Sequence, residues 1–175
     1  RLLREGIELR QQGSNDAALA SFERAHQLAR TPRTLAQVAL AEQALGRWVD
    51  AETHLREALR SAADPWITRN RAALDGALGV IAQHVGQVLV RCDVDGAAVR
   101  VAGRHAGECP LAELVHVEAG EVEVSGAAPG TSATERVSVA AGQTAIVTLR
   151  LRRDAAATTT ASELGPNPPD RQGQQ

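Results

Sequence analysis

The chain has 175 residues, of which 43% are hydrophobic and 2% aromatic, so it can form two small domains with cores built mainly from Ala, Val and Leu. Its formal net charge of -2 excludes the basic excess that a nucleic-acid or anionic-membrane surface requires. No run approaches the roughly 18 apolar residues of a membrane-spanning helix. The chain begins at Arg1 rather than at Met, and we expect it to be a processed or excised fragment.

Five helices are predicted in the first 84 residues. The first begins at Leu2, and the second follows a break at 13–16. The other three cover 33–45, 48–61 and 65 to about His84, the last one starting at Asp64-Pro65. Asn15 or Asp16 is predicted to cap the second helix, and Thr31-Pro32 to separate the second from the third. The fifth has a predicted apolar face of Trp66, Ile67, Leu74, Leu78, Ile81 and Val85.

A repeat runs through these helices. Four residues recur 33 positions later, namely Gly13 as Gly46, Ala18 as Ala51, Phe22 as Leu55 and Ala25 as Ala58. A period of this length is typical of a helix pair that cannot bury its apolar face alone, and stacked pairs form surfaces that bind other proteins. The repeat therefore favours a binding scaffold over an enzyme.

The helix pairs resemble the tetratricopeptide-repeat family. The resemblance is carried by Gly6, Gly13, Ala18, Phe22 and Ala25 in the first unit and by Ala39, Gly46, Ala51, Leu55 and Ala58 in the second. It implies two repeats followed by a capping helix at 65–84. The small residues would let paired helices approach closely, and the large apolar residues would fill the space between them.

The same resemblance implies where a partner would bind. In tetratricopeptide arrays the first helix of each unit lines a concave groove, which here would consist of Leu3, Ile7, Arg10, Gln11, Arg33, Ala36, Leu40 and Gln43. Such a surface is mildly polar with apolar steps and suits an extended or helical peptide. The Lys and Asn set that holds a C-terminal carboxylate in the chaperone-binding class is absent, so that ligand is disfavoured.

After Gly86 the hydrophobic period changes from about 3.6 residues to 2. Apolar residues alternate at 88–94, 97–101, 115–117, 122–124 and 137–139, and a further apolar run covers 146–151. Gly-containing turn signals separate these segments, as in a small antiparallel β-sandwich. The predicted fold class is therefore α+β in two domains, with all-α helical hairpins at 1–84 and an antiparallel β-sandwich at 86–152.

The strand region resembles the PEGA domain, a module of extracytoplasmic bacterial proteins. The matching segments are 96–103, 107–111, 116–124 and a closing hairpin at 137–151. Val94-Asp95-Gly96-Ala97 stands where the family has its name-giving Pro-Glu-Gly-Ala, and Cys109 replaces a residue that is usually small and polar. With the helical repeats, the resemblance implies an envelope protein of myxobacterial type. Residues 153–175, rich in Thr, Pro and Gln, are predicted to be a disordered linker.

Cys92 and Cys109 are the only cysteines. A hairpin of the first two strands would bring them within the roughly 6 Å Cα separation of a disulfide, and two reduced, half-buried thiols are the alternative. The histidines fall in no metal-ligand spacing, and the sequence contains no nucleophile motif and no phosphate-binding loop. We therefore expect no metal, no cofactor, no small-molecule substrate and no enzymatic activity.

The sequence leaves two functional hypotheses from different classes. In the first, the chain is an extracytoplasmic adaptor whose helical groove binds a protein or peptide partner, with a short joint that fixes the angle between the domains. In the second, the strand module binds a cell-wall or surface polymer and the repeats are a spacer. The absence of Phe, Trp and Tyr from residues 86–152 disfavours the second hypothesis, because sugar sites usually need an aromatic platform.

Overall fold

The computed structural model describes residues 1–153, in which five helices precede eight strands. The helices are α1 (Leu2–Gln11), α2 (Asn15–Leu28), α3 (Pro32–Ala44), α4 (Trp48–Arg60) and α5 (Pro65–Ala82). The predicted α+β arrangement in two parts, with five helices first, is confirmed. The linker predicted at 153–175 lies outside the described residues except for Arg153, which pairs with Thr131 and so belongs to a strand.

Local capping explains where two of the helices begin. The Thr31 hydroxyl accepts a hydrogen bond from the Thr34 amide, and the Thr34 hydroxyl accepts one from the Thr31 amide. The Asp64 carboxylate accepts from the Trp66 and Ile67 amides at the start of α5. The predicted cap of α2 is wrong: Asn15 is already helical, and Ser14 occupies the N-cap position without a side-chain cap bond.

The repeated residues pack the helix pairs together. Eight of the ten motif residues are buried, namely Gly6, Ala18, Phe22, Ala25, Ala39, Ala51, Leu55 and Ala58. Gly6 lies directly against the Phe22 ring, so that α1 and α2 approach closely. The other two, Gly13 and Gly46, have φ values of 77° and 74° and occupy turns that follow the first helix of each pair. Two apolar clusters result, one around Phe22 and one around Leu55.

The strands form two sheets that enclose a third apolar cluster. Their bounds are β1 (Val85–Cys92), β2 (Ala98–Val101), β3 (Arg104–Glu108), β4 (Val115–Glu118), β5 (Gly120–Ala128), β6 (Thr131–Val139), β7 (Thr144–Leu149) and β8 (Arg152–Arg153). The strand orders are β4-β1-β7 and β3-β2-β5-β6-β8. The buried side chains between the sheets are mostly Val, with Leu149 fully buried among them.

Three expectations about these strands are wrong. β1 pairs with β7 in parallel, so the smaller sheet is mixed rather than antiparallel. β1 and β2 form no hairpin, and neither do β6 and β7, because each pair divides between the two sheets. Strand β3 was not expected, since Arg104–Glu108 has only one aliphatic side chain, Ala106. Among successive strands, only β2 with β3 and β5 with β6 pair edge to edge within the described residues.

The joint between the two parts is short. α5 ends at Ala82 and β1 begins at Val85, which was expected on the fifth helix. Val85 nevertheless packs in the helical cluster with Ile81, and both side chains are buried. The first residue of the sheet is therefore part of the core of the helices.

Candidate partner-binding face and the helix–sheet junction

The groove residues predicted on α1 lie at the edge of the first helical cluster. Leu3 and Ile7 are half-buried and pack against the cluster that contains Phe22. Arg10 is half-exposed and Gln11 is exposed at the end of the helix. α1 thus presents partly accessible aliphatic side chains followed by a polar end.

The groove residues predicted on α3 differ from one another in solvent exposure. Arg33 is exposed, and its guanidinium carbon lies 5.6 Å from the centroid of the Trp66 ring, within cation–π range. Leu40 is half-buried against the second cluster, and Gln43 is half-exposed. Ala36 is a correction: it is fully buried among the α4 and α5 side chains and is not available to a ligand.

A residue that the sequence reasoning missed lies on the same side of α3. Gln37 is only 6% exposed, and within the described residues its Oε1 atom has no hydrogen-bond partner. Arg33, Gln37, Leu40 and Ala44 follow one another at helical spacing, and we call them the α3 stripe. That spacing is the signal that could have identified Gln37. A buried amide oxygen without a donor costs about 1–3 kcal/mol.

A second group of polar side chains joins α4 to the smaller sheet. The Nδ1 atom of His116 in β4 lies 2.6 Å from Oε2 of Glu52, whose side chain is only 5% exposed. Arg56 donates to the other Glu52 oxygen at 2.8 Å. Gln87 Nε2 lies 3.2 Å from His116 Nε2, and the Thr144 hydroxyl donates to Gln87 Oε1. These hydrogen bonds are mutually compatible, since Nδ1 of His116 donates to Glu52 and its Nε2 accepts from the Gln87 amide.

Further contacts join α4 to later residues on either side of this series of hydrogen-bonded side chains. The Trp48 ring stacks on the His84 ring with centroids 3.8 Å apart and planes 8° from parallel. Arg104 of β3 donates to Asp50 of α4 at 3.1 Å, with both side chains at least one-third exposed. The junction therefore combines a stacked pair, a surface ion pair and a buried carboxylate, and its contacts come from both parts of the chain.

A third polar pair lies within the helices. His54 Nδ1 is 2.7 Å from Oε2 of Glu42, whose side chain is 5% exposed. This hydrogen bond raises the pKa of His54 above 6.5; burial opposes the rise, and the charges of Glu42, Asp50 and Glu57 add to it. The pair links α3 to α4. Burial disfavours the charge of the Glu42 carboxylate, and the hydrogen bond to His54 offsets that cost.

The two cysteines are bonded to each other. Cys92 ends β1 and Cys109 directly follows β3, and their Cα atoms are 6.1 Å apart. Because β1 and β3 belong to different sheets, the disulfide joins the two layers of the sandwich rather than the strands of a hairpin.

Over residues 1–153, no three or more His, Cys, Asp or Glu side chains are grouped so that they could hold a metal ion. In the same part of the chain, no helix has both the length and the apolar character needed to cross a membrane. The chain matches no protein-family model, no curated protein and no solved structure.

Proposed function

We propose that this chain is a non-enzymatic scaffold of the bacterial cell envelope, and that the face formed by α1 and α3 binds a segment of a partner protein. The observation that carries the proposal is the α3 stripe. It offers an exposed guanidinium over an aromatic ring and a half-buried Leu side chain. A peptide could supply a carboxylate or carbonyl to Arg33 and an apolar side chain to Leu40.

The rest of the structure supports a scaffold with a fixed shape. The resemblance to tetratricopeptide repeats and to a PEGA module suggests domains at 1–84 and 86–152. The two-residue joint and the Glu52–His116 contact would hold such domains at one angle, so that a partner bound to the helices keeps a defined position relative to the sandwich. The disulfide supports an oxidising, extracytoplasmic compartment.

Site-specific photocrosslinking tests the proposal. The full chain would carry a benzophenone side chain in place of Gln43, beside the stripe, and be exposed to native envelope extract. Matched proteins would carry it in place of Glu23, exposed on α2, and of Glu108, exposed on β3. We expect a discrete protein adduct from Gln43 that is absent from Glu23 and that weakens when Arg33→Ala is added.

Two outcomes would contradict the proposal. Adducts of equal yield from Gln43 and Glu23 would show that the α1–α3 face has no preference for a partner. Retention of purified cell-wall polymer by the full chain, unaffected by Arg33→Ala, would instead favour a polymer-binding module with the helices as a spacer.

A further inference from the structure

Two strands of different sheets lie side by side and leave an open seam in the sandwich. β6 and β7 border a crevice of about 690 Å³ that is also lined by Arg150 and Arg152. No backbone hydrogen bond joins β6 to β7 within residues 1–153. β8 covers only the start of β6, where Arg152 pairs with Ser132 and Arg153 with Thr131. The seam is therefore bordered by two strand edges.

The register shows which main-chain groups of β7 face the seam. The Gln87 amide donates to the Gln143 carbonyl, and the Asp93 amide donates to the Leu149 carbonyl. Partners alternate along a parallel ladder, so the odd-numbered residues of β7 direct their N–H and C=O groups toward β1. The N–H and C=O groups of Thr144, Ile146 and Thr148 consequently point away from β1 and into the seam.

The two edges differ in how well they are protected against an added strand. Natural edges are blocked by charged side chains, Pro residues or bulges. β6 has exposed Glu135 and Arg136 in the middle of its free stretch. β7 has neither charge nor Pro nor bulge, and Ile146 is 60% exposed at its centre. β7 is therefore the edge that can accept another strand.

The charges around the seam indicate the chemistry of that strand. Arg150 and Arg152 have no ion-pair partner within the described part of the chain. Arg136 pairs only with exposed Glu123 at 3.3 Å, which is a weak surface contact. Against these three cations, Glu135 is the one acidic side chain that lines the crevice within residues 1–153, although the whole chain has a net charge of -2.

We propose that the free edge of β7, beside the Arg136, Arg150 and Arg152 guanidinium groups, docks an extended acidic segment of a partner protein as an additional strand. Main-chain bonds to Thr144, Ile146 and Thr148 would provide the affinity, and Asp or Glu side chains would face the arginines. A second copy of this chain fits less well, because edge-to-edge pairing brings two clusters of the same sign together. This site is separate from the α1–α3 face.

The test starts from a library of random peptides displayed on phage and selected on the full chain. We expect the selected sequences to be rich in Asp, Glu and β-branched residues, and their synthetic forms to bind more weakly as salt concentration rises, followed by fluorescence anisotropy. Thr148→Pro removes an N–H that faces the seam and none of the N–H groups that bond to β1. It should therefore leave the β1–β7 hydrogen bonds in place while lowering peptide affinity about tenfold or more. Arg150→Glu with Arg152→Glu should have a similar effect.

Matched controls separate docking from unfolding. Thr148→Ala keeps the main-chain N–H and should bind normally, as should Arg24→Glu, a charge reversal on the exposed face of α2. N-methylation of the peptide tests docking on the unaltered protein. Methyl groups on the alternate N–H groups that face β7 should abolish binding, whereas methyl groups on the opposite edge of the peptide should preserve it.

The proposal is wrong if the selection gives no acidic peptides, or if binding is indifferent to Thr148→Pro and to N-methylation of either edge. A dimer seen by sedimentation equilibrium and dissociated by Thr148→Pro would show that a second copy occupies the edge. Peptides that lose affinity with Arg33→Ala instead would place binding on the α1–α3 face, which would overturn the seam while leaving the proposed function standing.

Discussion

The imidazole of His116, in the smaller sheet, lies 2.6 Å from the carboxylate of Glu52, in α4, although 64 residues separate them in the chain. A carboxylate that is only 5% exposed needs such partners, because burial penalises its charge. The contact makes the stability of the helices depend on the position of the sheet.

Removal of the imidazole should therefore destabilise the whole described region. We expect His116→Ala to lower the free energy of unfolding by about 1–3 kcal/mol, because Glu52 would keep only Arg56 as a partner. Urea unfolding followed by Trp fluorescence would report this, since Trp48 and Trp66 both lie in the helices. The control is His105→Ala, which removes an exposed imidazole of β3. Equal stability of the two variants would contradict a structural role for the Glu52–His116 contact.

The contact between Gly6 and Phe22 gives a second prediction. A Cβ atom at Gly6 would lie 2.5 Å from Cε1 of the Phe22 ring, and Phe22 is fully buried. Gly6→Ala should therefore destabilise the protein by about 1–3 kcal/mol through overpacking. Gly76→Ala is the matched change, because Gly76 is helical and has nothing within 4 Å of its added Cβ; it should stabilise by up to about 1 kcal/mol. If both variants shifted the unfolding temperature in the same direction, helix propensity rather than packing would decide the effect.

The Glu42–His54 pair should make stability depend on pH. The pKa of His54 is raised above 6.5 in the folded state, so folding is favoured by a protonated imidazole. The contribution is complete below the unfolded value of 6.5 and disappears as pH rises through the higher folded value. The stability advantage of the natural chain over His54→Gln should hence be larger at about pH 5.5 than at about pH 8.5, measured by urea unfolding.

A variant of the partner checks this assignment. Glu42→Gln keeps the size of the side chain and removes the charge that holds the proton on His54. Glu42→Gln should make the free energy of unfolding depend less on pH over the same range. If the stability difference between the natural chain and His54→Gln stayed constant with pH, the proposed dependence on His54 protonation would be wrong.

Loss of the disulfide should loosen the sandwich. Cys92→Ser combined with Cys109→Ser reopens a loop of 17 residues, which corresponds to about 3 kcal/mol of stability on the chain-entropy model. Because the strand region contains no Trp, Tyr or Phe, the change should be followed by hydrogen exchange of the Val88 and Leu89 amides, which lie in the β1–β4 and β1–β7 ladders. Each single substitution should cost as much as the pair, and unchanged exchange in all three variants would show that the bond contributes nothing.

What could be predicted from the sequence is mainly what is local. Thr31-Pro32 and Asp64-Pro65 mark helix starts because the capping groups are adjacent to the amides they satisfy. The repeated Ala and Gly positions predicted helix packing because each pair is one structural unit. Ala36 was misplaced because the same spacing cannot say how closely α5 covers α3.

Apart from local errors such as the α2 cap, the errors concern relationships between distant segments. Alternating Val residues predict strands but not their partners, so the parallel β1–β7 pair and the division of neighbouring strands between sheets were missed. The Glu52–His116 contact could not be anticipated either, since nothing in the two local sequences refers to the other. Gln37 could have been found from its helical spacing to Arg33. Only the structure shows that its Oε1 atom has no hydrogen-bond donor within the described residues.

The parallel pairing of β1 with β7 also determines how the sandwich would resist tension. Chain enters β1 from the helices at one end of the sheet and leaves β7 at the opposite end. A pull on those two points would load the hydrogen bonds between the strands in shear, so that they must break together rather than open one after another as in a zipper. Along that direction the β1–β7 pair should therefore be mechanically stiff.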